Sequence, residues 1–276
     1  MASSMEVLPA PLADASDVTP ARTGVKSAIR TLEILELLSG PTRRMSVATM
    51  ARTLNIPKSS LHGILRTMEA HKWLETDETG TQYGLGIRAL LTGNAYVESD
   101  KLVNLAQPIL DSLADQTGEA IHLGRLDDAD IVYLAKRESA NALRLFSAVG
   151  RRLPAHATAL GKSVLAGLTE TELAHRLPET LARLTDSTIT DPRALRADLE
   201  LTRQRGYAYE DGENTPGICC IAVALTPSGR SLNALSCSIP AARVTAARID
   251  EISRVVLRSA QLLDALVAQL STAERD

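Results

Sequence analysis

The stretch 46–66, SVATMARTLNIPKSSLHGILR, constrains the fold of this chain more than any other. It reads as two short helices around a tight turn. Ser46 has the short hydroxyl side chain that caps a helix start, and Val47, Met50, Ala51 and Leu54 follow at helical spacing. Asn55 tolerates the left-handed conformation that ends a helix, and Ile56 is placed to pack inward. Pro57 cannot continue the first helix but suits the start of a second. The second helix gathers Leu61, Ile64, Leu65 and Met68 on one face and leaves Lys58, Ser59, Ser60, His62 and Arg66 on another.

Charge adds a direction to this pattern. Arg43, Arg44, Arg52, Lys58 and Arg66 occur between positions 43 and 66, where there is no Asp or Glu. Cations that hold phosphates, with small hydroxyls at the start of the second helix, suit a helix-turn-helix seated in a major groove. The expected DNA-facing set is Arg43, Arg44, Ser46, Lys58, Ser59, Ser60, His62 and Arg66. An ordinary helical hairpin, or a winged helix that binds protein, satisfies the apolar pattern equally; the charge favours DNA.

The flanks extend the unit. Residues 26–38 place Ala28, Leu32, Ile34, Leu35 and Leu38 over three turns before Gly40-Pro41 stops the helix, giving the first member of a three-helix core. Residues 73–76 and 81–84 read as strands around the turn 77–80, a wing that closes the small core and brushes a DNA backbone. Residues 24–84 are therefore expected to form a winged helix-turn-helix.

The net charge of −3 hides this footprint. Residues 24–84 hold 8 Lys and Arg against 6 Asp and Glu, whereas residues 85–276 hold 21 against 24. Residues 1–23 are rich in Ala, Pro, Ser and Asp without apolar periodicity and are expected to form a disordered tail. Hydrophobic content of 45% supplies globular cores. No apolar run approaches the roughly 20 residues that span a bilayer, and the start lacks the apolar run of a secretory signal. A cytoplasmic protein with no membrane partner is expected. Three cysteines, two of them adjacent, make neither a disulfide framework nor a paired-cysteine metal motif. No metal and no cofactor is expected.

Residues 85–99 are expected to form a mostly apolar linker helix that connects the domains and helps the chain dimerise. Residues 100–276 alternate element types as an α+β domain does. Asp100 caps a helix with the stripe Leu102, Leu105, Ile109 and Leu113, bent at Pro108. Strands are expected at 120–126, 131–136, 143–146, 207–210, 218–225 and 232–239. Helices are expected at 158–167, at 170–176 behind a Thr169–Glu172 capping box, at 192–204 behind Asp191, and at 241–270. The last shows Val244, Ile252, Val255, Ser259, Leu262 and Leu266 on one side.

Four features invite an enzyme reading. Gly161-Lys162-Ser163 resembles the end of a phosphate loop, but His156 stands where that loop requires Gly, so nucleotide binding is rejected and Lys162 is given a structural role. His156 with Cys220 suggests nucleophilic catalysis, without a third orienting residue. Cys219 and Cys220 point to opposite faces of one strand and read as buried thiols. The cluster Glu210-Asp211-Gly212-Glu213-Asn214 lacks calcium-loop spacing and reads as a solvated turn. No catalytic residue is assigned. An enzyme built on His156, Glu210 and Cys220, and a DNA-binding scaffold without a working pocket, stand as alternatives.

The chain closely resembles the IclR family of bacterial transcriptional regulators. The likeness is carried by SAIRTLEILELL, ATMARTLNIPKSSLHGILRTME, YGLG, GRRLPAHATALGKSVLA, TITDPRALRADLELTRQRGYAYEDGE, GICCIAVAL and ALSCSIP, in order from Lys26 to the last helix. It implies an α+β architecture, a winged helix joined by a linker helix to a GAF-like effector-binding domain, with assembly as dimers or tetramers on partly palindromic operators. It places the effector site at Thr158, Ala159, Leu160, Gly161, Glu210, Cys220, Ser236 and Ser238. It implies a small organic or aromatic acid as effector, and Glu210 would repel a bare carboxylate, which points to a hydroxylated or amine-bearing one. Three positions depart from the family: Gly63 for Arg in the recognition helix, Lys72 for Gly before the wing, and Ala224 for Pro in the sheet. The first moves more of the phosphate contact onto Lys58 and Arg66.

Overall fold

Ser46 caps the helix its position announces, accepting a hydrogen bond from the Thr49 N–H at 3.2 Å at the start of α2 (Val47–Thr53). The computed structural model describes residues 24–40, 42–139, 147–227, 229 and 232–273. Their contacts fall into two units that divide between Ser99 and Asp100.

In the N-terminal unit α1 (Lys26–Ser39) precedes β1 (Arg44–Ser46), α2, α3 (Lys58–Ala70), β2 (Leu74–Thr76), β3 (Gln82–Leu85) and α4 (Ile87–Ser99). Asn55 carries the positive φ of 51° that turns α2 towards α3. Ile34, Leu38, Met50, Ile56, Leu61, Leu65, Met68 and Leu74 fill one core. Each large side chain there contributes roughly 1.5–3 kcal/mol by burial. β3 lies between β1 and β2 in an antiparallel sheet. β1 is unexpected: three residues, the last of them the cap of α2, carry too little alternation to read as a strand. Its pairing comes from the wing. The wing turn is closed by the Asp77 carboxylate, which accepts from the N–H groups of Thr81 and Gln82.

The C-terminal unit runs α5 (Lys101–Thr117), β4 (Ala120–Asp127), β5 (Asp130–Arg137), β6 (Arg152–Pro154), α6 (Ala159–Leu165), α7 (Glu170–Arg176), α8 (Pro192–Arg205), β7 (Ala208–Asp211), β8 (Ile218–Ala224), β9 (Asn233–Pro240) and α9 (Ala246–Ala273). Its six-stranded antiparallel sheet has the order β6-β5-β4-β9-β8-β7. α5 and α9 cover one face and α6 the other, a GAF-like three-layer arrangement. The caps at Asp100, Thr169 and Asp191 form as expected, the second as a complete capping box with Glu172.

The two sheet faces are chemically different. Cys219, Ile221 and Val223 of β8 and Leu235, Cys237 and Ile239 of β9 alternate with Cys220, Ala222 and Ala224 and with Ala234, Ser236 and Ser238. The second set faces α6, where Ala222, Ala234 and Cys220 join the core around Leu160 and Val164. Large aliphatic side chains thus hold the α5/α9 layer, and small or polar ones meet α6.

Three helical stripes differ from expectation by a fraction of a turn. α1 buries Ile34 and Leu38 but leaves Leu32 53% exposed. α5 buries Val103, Ala106, Leu110 and Thr117 beside Ile109 and Leu113, and runs on through Pro108. The last helix starts at Ala246, because Ala241–Arg243 form a 3-10 turn after Pro240. Its core side is Ile252, Val256, Ala260 and Leu263. Val255, Ser259, Leu262 and Leu266 instead line a groove of about 470 Å³ against α5. A second apolar stripe on α9 masked the first. The expected strand at 143–146 and the tail 1–23 lie outside the described residues.

Candidate functional site

α3 presents the polar face its spacing required. Lys58, Ser59, Ser60, His62 and Arg66 are exposed, while Leu61, Leu65 and Met68 are buried beneath them. Arg43 and Arg44 are also exposed. Arg44 crosses the central wing strand over Gly84 and pairs with Glu75 at 2.6 Å, both residues lying in register with Gly84. The Ser46 oxygen is committed to its cap. Lys58, Ser59, Ser60, His62 and Arg66 thus make one exposed polar face on α3.

In the C-terminal unit, strand register brings four expected residues together. Glu210 pairs with Cys220, and Cys220 pairs with Ser238. Ser236 follows on the same face of β9. The Cys220 thiol donates to the Ser238 hydroxyl at 3.3 Å, and Glu210 Oε2 accepts from the Glu213 N–H at 2.8 Å. Glu210 and Glu213 are buried, so the cluster at 210–214 is not the solvated turn its sequence suggested. Burial pushes the Glu210 carboxyl up to about 8, with the neighbouring Glu213 charge adding to the rise and the Glu213 N–H opposing it. The group is largely protonated at neutral pH and can donate to an oxygen acceptor, which removes the expected repulsion of a bare carboxylate.

The other four expected residues lie in and before α6, and their geometry is structural. Thr158 Oγ1 accepts from the Gly161 N–H at 3.0 Å and caps the helix. That N–H is thus already engaged. A Cβ on Gly161 would lie 2.1 Å from the Ala155 carbonyl oxygen, so glycine permits the helix to cross the preceding turn. Ala159 and Leu160 are buried, and Leu160 packs towards Gly124 of β4.

Among the described residues no hydrogen bond joins a cysteine to a histidine, so His156 and Cys220 form no dyad. His156 Nε2 is bonded to the Ala182 carbonyl at 3.0 Å, and burial, with the nearby Glu210 charge, holds the Cys220 thiol well above its ordinary pKa. Among the described residues no group of His, Cys, Asp and Glu could hold a metal ion. No described helix is long and apolar enough to cross a membrane.

Comparison with known proteins decides the family. Residues 27–78 match the IclR helix-turn-helix domain, and residues 94–265 match the family model described as bacterial transcriptional regulator IclR C-terminal. The chain belongs to the IclR family. It is a DNA-binding transcriptional regulator and not an enzyme. It is 34% identical over 242 residues to the HTH-type transcriptional regulator BhcR of Paracoccus denitrificans, covering 87% of this chain and 86% of the relative. It is 30% identical over 249 residues to the transcriptional repressor IclR of Escherichia coli, covering 88% and 90%. The crystal structure of an IclR homologue from Microbacterium hydrocarbonoxydans, complexed with 4-hydroxybenzoate, shares the fold with a TM-score of 0.71 at 22% identity, covering 88% of this chain and 98% of that one.

The three positions that the resemblance marked as departures lie in different surroundings. Gly63 has open space where a Cβ would stand, so nothing in the packing requires glycine there. Lys72 takes a φ of 61°, the backbone state that a glycine adopts freely. Gly86 must stay small beside it, since its Cβ would lie 2.5 Å from the Lys72 carbonyl oxygen. Ala224, the last residue of β8, faces α6 and packs against its core.

Sequence reasoning missed the Lys162 cluster. Lys162 is fully buried, paired with Glu213 and lying 3.0 Å from Asp198 Oδ2. Glu213 stands 51 positions along the chain from Lys162, and no local pattern links the three residues. It also missed His122 and Tyr133, whose rings stack with centroids 4.7 Å apart.

Proposed function

We propose that this regulator binds operator DNA through the exposed face of α3, acts as a repressor or dual regulator of a catabolic or metabolic pathway, and releases or shifts on the DNA when a small organic or aromatic acid occupies the α6-facing side of its six-stranded sheet. The observation that carries this reading is the contrast between the two sheet faces. Glu210, Cys220, Ser236 and Ser238 stand where an all-aliphatic face would pack better, and their strand register gathers them beneath one helix. Small polar side chains in a largely apolar surround suit a compact, oxygen-rich ligand.

Self-association as a dimer or tetramer completes the mechanism. α4 buries none of its side chains and leaves Ile87, Leu90, Leu91 and Tyr96 more than half exposed. Two copies joined there would hold two α3 helices for two half-sites a whole number of DNA turns apart. The acid shifts the population of arrangements that fit both half-sites. A cytoplasmic location follows from this role.

The test is retention of sheared genomic DNA by the purified protein at moderate salt, with and without small acids. A few enriched sites sharing a partial palindrome, lost or gained with an acid, are the expected result. DNA binding and quaternary structure both indifferent to every acid would overturn the effector mechanism.

A further inference from the structure

His122 of β4 is 1% exposed, yet neither its Nδ1 nor its Nε2 has a hydrogen-bond partner among the described residues. More than about nine in ten buried polar groups are paired, so an imidazole that leaves both nitrogens unmet needs a reason. Its position supplies one. The ring stacks on Tyr133 of β5, with 24° between the planes, and Tyr133 packs against the core on the α6 side of the sheet. The register sets His122 opposite Ser236, which lies opposite Ala222, while the neighbouring row runs Ala120, Ser238, Cys220. Tyr133 lies near enough to Cys220 and Glu210 that their ionised forms, after burial, would add to the rise of its hydroxyl pKa. The aromatic pair and the Glu210–Cys220–Ser238 set therefore face one space. Burial lowers the His122 pKa to about 4, with Lys136 adding to the fall, so the ring is neutral at pH 7 and has one donor and one acceptor.

We propose that His122 is a ligand-reading residue of the effector pocket, its imidazole hydrogen-bonding the hydroxyl of a small hydroxylated carboxylate while Tyr133 forms the flat wall beside it. This rests on reading the C-terminal unit as the sensor. A hydroxyl both donates and accepts, so it matches either imidazole tautomer. The ligand carboxylate falls to the protonated Glu210 and the serines. A site built to pair a hydroxyl discriminates strongly against the analogue that lacks it, because its own polar group is then left unmet.

The test uses the full-length wild-type protein with His122→Phe, which keeps a ring against Tyr133, and His122→Leu. In ligand-free melting, a histidine retained for a ligand is a liability, and at least one variant is expected to melt about 2–4 °C above wild type. Both variants melting below wild type would show a packed structural residue and overturn the proposal. The probes are 4-hydroxybenzoate and 3-hydroxybutyrate, each beside its deoxy partner, benzoate or butyrate. At least one hydroxylated probe is expected to bind wild type, and His122→Phe to weaken it at least tenfold while leaving the deoxy partner within about twofold. Equal weakening of both partners, or none, overturns the role of His122; no binding of either hydroxylated probe overturns the ligand class. If DNA retention then still responds to a metabolite extract, the regulator reading survives and only this proposal fails.

Discussion

Lys162 and Glu213 form an ion pair in which the lysine has no exposed surface, and Glu213 in turn donates its backbone N–H to Glu210. With Asp198 at 3.0 Å on the other side, α6, α8 and the turn after β7 are tied at one buried point. A charge at that depth is tolerated only because it is paired. Lys162→Met, which leaves two carboxylates facing each other, is expected to cost about 3–5 kcal/mol in urea unfolding of the C-terminal unit. Adding Glu213→Gln should recover part of this loss. A single variant within about 1 kcal/mol of wild type would show that the cluster carries little stability.

The buried Glu210 carboxyl makes stability depend on pH. Its folded pKa, raised to about 8 from 4.5, exceeds the unfolded one, so the folded state binds the extra proton between these values. Its contribution to stability is then greatest below about pH 4.5, falls as pH rises towards 8 and levels off above it. Glu210→Gln keeps the shape and removes the titration. The difference between wild type and variant should change by close to one proton's slope across this window, with the variant gaining relative stability as pH rises. Parallel stability profiles across that window would mean that Glu210 is ionised in the fold.

Gly161 belongs to the segment tied by family resemblance to the effector, yet its structural contact is with the Ala155 backbone. Gly161→Ala is expected to destabilise by at least about 2 kcal/mol, since backbone and not a flexible side chain must give way. Thermal melting without any ligand checks this. An unchanged melt with impaired response to an acid would restore Gly161 as a ligand contact.

What could be read from residue order follows from the range of the interactions. Caps at Ser46, Asp100, Thr169 and Asp191 depend on neighbours two or three positions away and were legible. The turn at Asn55 and the polar face of α3 were legible for the same reason. β1 was not, because its partner is the wing strand, far along the chain beyond two helices. The role of α9 was ambiguous because it carries two apolar stripes, one for the sheet and one for the α5 groove. The alternation of Cys220, Ala222 and Ala224 with Cys219, Ile221 and Val223 held the clearest local signal that the two sheet faces differ. Combined with the same alternation in β9, it would have pointed to one small, polar sheet face. His122 and Tyr133 had no such signal, since only the β4–β5 pairing brings the rings together.

The recognition helix offers the most direct test of the DNA-facing surface. Lys58 and Arg66 are exposed on one side of α3 with Gly63 between them, and Gly63 has open space for a side chain. Removing one phosphate-binding cation should lower the slope of log affinity against log salt by about 0.9. Lys58→Ala and Arg66→Ala are each expected to show that reduction on operator fragments and on unrelated DNA alike, because phosphates carry no sequence. Gly63→Ala should stabilise the N-terminal unit by about 0.5–1 kcal/mol through helix propensity. Gly63→Arg should add a cation to the same face, steepen the salt slope by up to about 0.9 and tighten binding at low salt. Fluorescence-anisotropy titrations between about 50 and 200 mM salt measure Lys58→Ala, Arg66→Ala and Gly63→Arg, and thermal melting measures Gly63→Ala. If the two alanine substitutions left the slope unchanged, the principal phosphate anchors would have to come from Arg43, the wing or elsewhere, and α3 would lose its place at the centre of the interface.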